Sequence, residues 1–141
     1  LAAEPPRRKT EILPIPVQQA PLELFSALQA NDLLFIDSTH VLKTGSDVAF
    51  ELFEVLPRLN PGVLVHIHDI GWPFEYSRKW AVEENRSWNE AYGLRAFLTF
   101  NDTFDILFFN DYFRRKQAPA LQRIAPWVTA NSGGSIWLQR R

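Results

Sequence analysis

The sequence predicts an α/β domain on a mostly parallel sheet, with an antiparallel strand pair at its carboxyl-terminal end. Two observations carry this. Residues 32–37 (DLLFID) and 62–69 (GVLVHIHD) are near-continuous apolar runs, each ending in an acid, as strands buried on both faces do. Between them Val48, Leu52, Val55, Leu56 and Leu59 recur at helical spacing. Strand, helix, strand reads as a right-handed parallel crossover, which puts Asp37 and Asp69 at one carboxyl edge of the sheet. Open α/β sheets bind ligands at that edge.

The other elements follow in order. Residues 1–9 hold Pro5, Pro6 and three cations, Arg7 to Lys9, and read as a connector. Residues 11–17 alternate loosely, and Pro14 and Pro16 remove two backbone donors, so a short or edge strand is expected. Residues 22–30 place Leu22, Phe25 and Leu28 on one helical face. Thr44, Ser46 and Asp47 offer N-cap oxygens for the crossover helix, and Asn60, Pro61 and Gly62 stop it. A helical pattern runs over 88–98, a third core strand over 104–110 (FDILFFN), a helix over 114–124 and a last strand over 135–139.

A chain of 141 residues, 46% hydrophobic and 22% charged, holds one globular unit or part of one. A net charge of -1 gives no field to gather nucleic acid or an anionic membrane. No apolar run approaches the ~20 residues of a membrane-spanning helix. Without cysteine there is no disulfide framework, thiolate metal site or cysteine nucleophile. The expectation is a soluble, cytoplasmic protein. Methionine is absent and the chain opens at Leu1, as in an excised or processed piece of a longer protein.

Neighbouring strands lie about 4.8 Å apart, so Asp37 and Asp69 can approach one another and share a cation or raise one another's pKa. They could equally cap the loops that follow them. His40 lies three residues past Asp37. His66 and His68 share one strand face and Asp69 the other. His66 reads as a hydrogen-bonded core residue, and His68 as a core or pocket residue. A two-histidine, one-carboxylate iron site would need Asp37 or His40 in place of Asp69. Trp72, Phe74, Tyr76, Trp80, Trp88 and Tyr92 follow the second acid. Some would wall a ligand pocket, while the four-residue spacing of Trp88 and Tyr92 suits helix-to-sheet packing. Arg7 to Lys9 and Arg114 to Lys116 read as solvated surface.

The element order, with DLLFIDSTH (32–40), TGSDV (44–48), LPRLNPGVLVHIHDI (56–70), WPFEY (72–76), WNEAYGLRAFL (88–98) and GGSIWLQR (133–140), resembles the carboxyl-terminal half of a class I S-adenosylmethionine-dependent methyltransferase. The words are similar to a bacterial family of largely unassigned substrate, over roughly 32–140. The resemblance implies a Rossmann-like sheet truncated at its amino terminus, with residues 1–141 as a partial domain. The glycine-rich turn that opens such enzymes is not found here. Glu4 is the one residue that could match the acid holding the cofactor's ribose, and it could equally be a solvated acid. The strand at 12–17 would then have lost its neighbours, and would be displaced, paired across a homodimer or joined to the next strand.

What the resemblance implies about function is methyl transfer from S-adenosylmethionine to a small polar acceptor, O-methylation favoured, by a parent protein of which this chain alone is inactive. The alternative is a degenerate, non-catalytic interaction module. Catechol O-methyltransferase-type enzymes carry an acid, a base three residues later, and a second acid followed by asparagine. Asp37, His40 and Asp69 match the first three places and Ile70 does not match the last. Two versions stay open: Mg2+ held by Asp37 and Asp69, or direct base catalysis by His40 oriented by Asp37. His68, Trp72, Phe74 and Tyr76 are the expected substrate-pocket residues.

Overall fold

In a computed structural model the chain is described over residues 10–129 and 133–141. Glu4 and the connector at 1–9 lie outside the described residues. The sheet has four strands, β1 (Leu33–Ile36), β2 (Leu64–His68), β3 (Phe104–Phe109) and β4 (Ser135–Arg140), in the order β1-β2-β4-β3. β1 and β2 run parallel and adjacent, Leu33 opposite Leu64 and Ile36 opposite Ile67. β4 is antiparallel to both β2 and β3, so the sheet is mixed rather than mostly parallel. Because the last strand returns between its predecessors, a single parallel pair remains.

Ser46 caps the crossover helix, its hydroxyl accepting the Ala49 N–H at 3.1 Å. The helix is α-helical over Asp47–Phe50, a π-turn over Glu51–Val55 and 3-10 over Leu56–Arg58, where Pro57 has no N–H to continue an α-helix. A helix at Glu90–Leu98 packs beside it. Val48, Leu52, Leu56, Ala91 and Leu94 of the two helices meet Val65, Ile67, Ile136 and Leu138 of the sheet in one core. Gly62 closes the far end of the sheet. Its φ is +86°, its N–H donates to Arg140 O, and a Cβ there would lie 2.6 Å from Ala30 Cβ.

Three expectations fail. β1 is an edge strand whose Leu33 and Phe35 are 46% and 56% exposed, so it is buried on one face only and helices do not cover both faces there. Residues 10–16 form no strand, and Ile12 is 82% exposed. With Pro14 and Pro16 unable to donate, that segment offers too few N–H groups for a ladder. The helix expected over 22–30 is a single turn, Glu23–Ser26. Two more helices, Asn110–Lys116 and Ala118–Ile124, link β3 to β4, with a 3-10 turn at Pro126–Thr129.

Candidate active site

β1 ends at Ile36 and β2 at His68, which delivers Asp37 and Asp69 to one sheet edge. The chain then turns sharply at His40 (φ +61°) and Asp69 (φ +54°). Left-handed backbone at residues other than glycine is uncommon, and such strain collects at functional sites. The turn at Asp69 also breaks strand alternation, so Asp69 Oδ1 lies 3.6 Å from His68 Nε2 rather than on the opposite face.

His40 is the centre of the arrangement. Asn89 N–H and Glu90 N–H both donate to its carbonyl, at 3.0 and 3.2 Å. The Asn89 amide also grips Leu42, its Oδ1 accepting the Leu42 N–H and its Nδ2 donating to the Leu42 carbonyl. The ring is held at Nδ1, 2.7 Å from Glu90 Oε2, and Glu90 is 2% exposed. Ser38 donates to the other Glu90 oxygen at 3.2 Å and accepts the His40 N–H. Nδ1–H donates to the Glu90 carboxylate, and in the neutral imidazole this leaves the lone pair on Nε2. That Nε2 stands 3.6 Å from Asp37 Oδ1 and 4.0 Å from Asp69 Oδ2. Burial lowers the His40 pKa, but the Glu90 hydrogen bond and the charges of Glu90, Asp69 and Asp37 outweigh it and leave the pKa raised.

Two cavities lie at this edge, one lined by Asp37 and the other by Asp69, and His40 itself lines neither. One, of about 560 Å³, is lined by Asp37, Thr39, Asp47, Glu51 and Gln18. The other, of about 740 Å³, is lined by His68, Asp69, Trp72, Tyr76 and Trp80. In the first, Glu51 Oε2 is buried without a partner. Burial, with the charges of Glu90 and Asp47, pushes the Glu51 pKa up to about 7 against the pull of His40.

The aromatic residues divide. Trp72, Tyr76 and Trp80 line the second cavity, whereas Phe74 turns inward against Phe109 and the core. Trp88 lies against His40, ring centroids 4.2 Å apart and planes tilted by 45°, and Tyr92 is half-exposed with its hydroxyl on Glu75. Tyr76 ties the loop to Glu90–Leu98, its oxygen accepting the Ala91 N–H, and burial pushes its pKa up to about 12. His66 is buried and stacked on Phe35 with Nδ1 unpartnered, so it is a packed core residue without a full set of hydrogen bonds.

Glu90 and Asn89 are the residues that sequence reading missed. Glu90 stands where an ordinary first-turn acid would stand, and its only signal is the adjoining Trp88–Asn89. Asp37 does not orient the imidazole, since it faces Nε2 and Glu90 holds Nδ1. Among the described residues no group of three or more histidine and acidic side chains is arranged to hold a metal ion. Asp37 and Asp69 are two carboxylates with an imidazole nitrogen between them.

Residues 7–70 match the model of a family described as a methyltransferase domain. The matched stretch contains β1, the crossover helix and β2, and so Asp37, His40 and Asp69. No curated protein and no solved structure matches the chain. Over that stretch the chain is similar to a methyltransferase domain. No helix among the described residues is long and apolar enough to cross a membrane.

Proposed function

We propose that this chain is the carboxyl-terminal part of a class I S-adenosylmethionine-dependent methyltransferase, which in its parent protein methylates a hydroxyl of a small polar acceptor with His40 as general base. The observation that carries the reading is His40 Nε2, held by Glu90 from behind and set between a carboxylate of each cavity. The cavity beside Asp37 suits the cofactor. Asp37, Asp47 and Glu51 favour a cation and accept from amines and hydroxyls, and the unpartnered Glu51 oxygen leaves an acceptor to fill. Bound there, S-adenosylmethionine would supply a methyl group activated on a sulfonium sulfur. The cavity beside Asp69 suits the acceptor.

His40 Nε2 would take the acceptor hydroxyl's proton as that oxygen forms its bond to the methyl carbon and the methyl–sulfur bond breaks, the electron pair leaving with a neutral thioether. Glu90 keeps Nδ1 protonated, and Asp37 and Asp69 stabilise the imidazolium that results. A cation such as Mg2+ would use Asp37 and Asp69. Calorimetry with S-adenosylmethionine on the parent protein tests the cofactor, and His40→Ala in that protein should cut turnover by roughly 10²- to 10⁴-fold. Parental turnover by a folded, cofactor-binding variant would remove His40 from the base role, and indifference to chelator would remove the metal. The exposed Leu33 and Phe35 favour the other reading, a non-catalytic interaction module. That reading requires the parent to bind no cofactor.

A further inference from the structure

The acceptor cavity is electrically polar. His68 and Asp69 line it together with Arg114 and Arg115. The two arginines belong to Asn110–Lys116 and converge on one acid, Asp111, which is 7% exposed. Arg114 Nε and Nη2 lie 3.2 and 2.7 Å from Asp111 Oδ1, and Arg115 Nε lies 2.9 Å from Oδ2. Trp72 N–H also donates to Oδ2, at 3.1 Å, tying this cluster to the aromatic wall. Burial alone would raise the Asp111 pKa, and these donors hold it below the usual carboxylate range.

One carboxylate between two guanidiniums leaves a net positive charge. A guanidinium has five N–H groups in a planar fork, and Asp111 engages two from Arg114 and one from Arg115. The remaining donors are held in place by an acid that is itself fixed, a geometry suited to bidentate binding of an oxyanion. The other charged group of the wall, Glu75, accepts from the Tyr92 hydroxyl. Asp69 and Glu75 line the same cavity, so an anionic group is favoured only at the two guanidiniums. Trp72, Tyr76 and Trp80 line the cavity too, as surfaces for a ring.

We infer that Arg114 and Arg115 form an oxyanion subsite, and that the acceptor is a ring compound bearing a phosphate or carboxylate. This rests on the reading of the second cavity as the acceptor site. The subsite itself needs neither cofactor nor turnover, so it is tested apart from His40.

The test is titration of the 141-residue chain with phenyl phosphate, benzoate and phenol, followed by the indole N–H resonances of Trp72 and Trp80 in two-dimensional NMR. At least one of the two anions should bind about 10-fold or more tighter than phenol, the worth of one charge-assisted hydrogen bond. Which one does so separates phosphate from carboxylate. Arg115→Gln leaves Asp111 paired with Arg114 and should abolish the preference, and Arg115→Lys should restore part of it. Arg123→Gln, which removes the same charge elsewhere, should leave it intact. Equal binding of all three probes, indole resonances that do not respond, or an unchanged preference in Arg115→Gln would overturn the inference.

Discussion

His40 Nδ1 lies 2.7 Å from Glu90 Oε2, across a sequence separation of 50 residues, and both side chains are buried. The pair joins the loop after β1 to the first turn of Glu90–Leu98, so the orientation of the imidazole depends on a helix outside the stretch that matches the methyltransferase family.

Glu90→Gln should lower parental turnover by about 10²-fold, the lower end of a general base's worth. It should also move the acidic limb of the pH–rate profile to lower pH, because His40 loses the partner that raises its pKa. A lesion that was only structural would lower the rate without moving the limb. For stability the sign is fixed by the same shift. The contribution of His40 is complete below its ordinary pKa and is lost as pH rises through the raised, folded value.

Glu51 behaves in the same sense. Its folded pKa of about 7 exceeds the ordinary glutamate value, so its protonated form favours the fold and that stability fades between roughly pH 4.5 and 7. Glu51→Gln mimics the protonated acid. Urea denaturation should show the variant more stable than the parent sequence at pH 8, by up to about 3 kcal/mol, and equal to it at pH 4.

Asp47 titrates the other way. Burial raises its pKa, but donors at Thr39 Oγ1 (2.6 Å), Thr39 N (2.7 Å) and Val48 N (2.8 Å) outweigh it and leave the pKa lowered. Its stabilisation is present above the ordinary carboxylate pKa and is lost as pH falls through the folded one. Asp47→Ala should cost about 1–2 kcal/mol at pH 7 and progressively less in acid, read from denaturation midpoints.

Phe100 is fully exposed with φ +59°, left-handed backbone that a bulky residue adopts at a cost. Asparagine tolerates that region better, so Phe100→Asn should be neutral or stabilising by up to about 1 kcal/mol in thermal denaturation. A clear loss of stability would mean that the ring has a role that its exposure does not suggest.

Asp37, His40 and Asp69 are legible in the sequence because each follows from a strand end, and strand ends are marked by where an apolar run meets a polar residue. The adjacency of β1 and β2 follows from the helix between them. Glu90 is not legible, because an acid in the first turn of a helix satisfies the helix whether or not a histidine waits opposite. Nor is the exposure of Phe35, since an apolar run reads alike whether its second face is covered or open. The place of β4 is hidden for a related reason. Its Ile136 and Leu138 would suit any central position, and only pairing with both β2 and β3 selects one. Arg114 and Arg115 look like solvated surface until Asp111 and Trp72 are seen beside them.

The π-turn in the crossover helix gives that helix a spare place in its count. Leu56 N–H reaches back to the Glu51 carbonyl, five residues away rather than four, while Ser46 anchors the helix start and Leu56 its buried end. Removing one residue from inside a helix normally rotates everything downstream by about 100° and turns its core face to water. Here the excision of Phe53, which points to solvent, would absorb the surplus and leave both anchors in phase. A shortened chain of this kind should fold, with a regular helix and a displaced Glu51, so in this segment a deletion is a gentler edit than many substitutions.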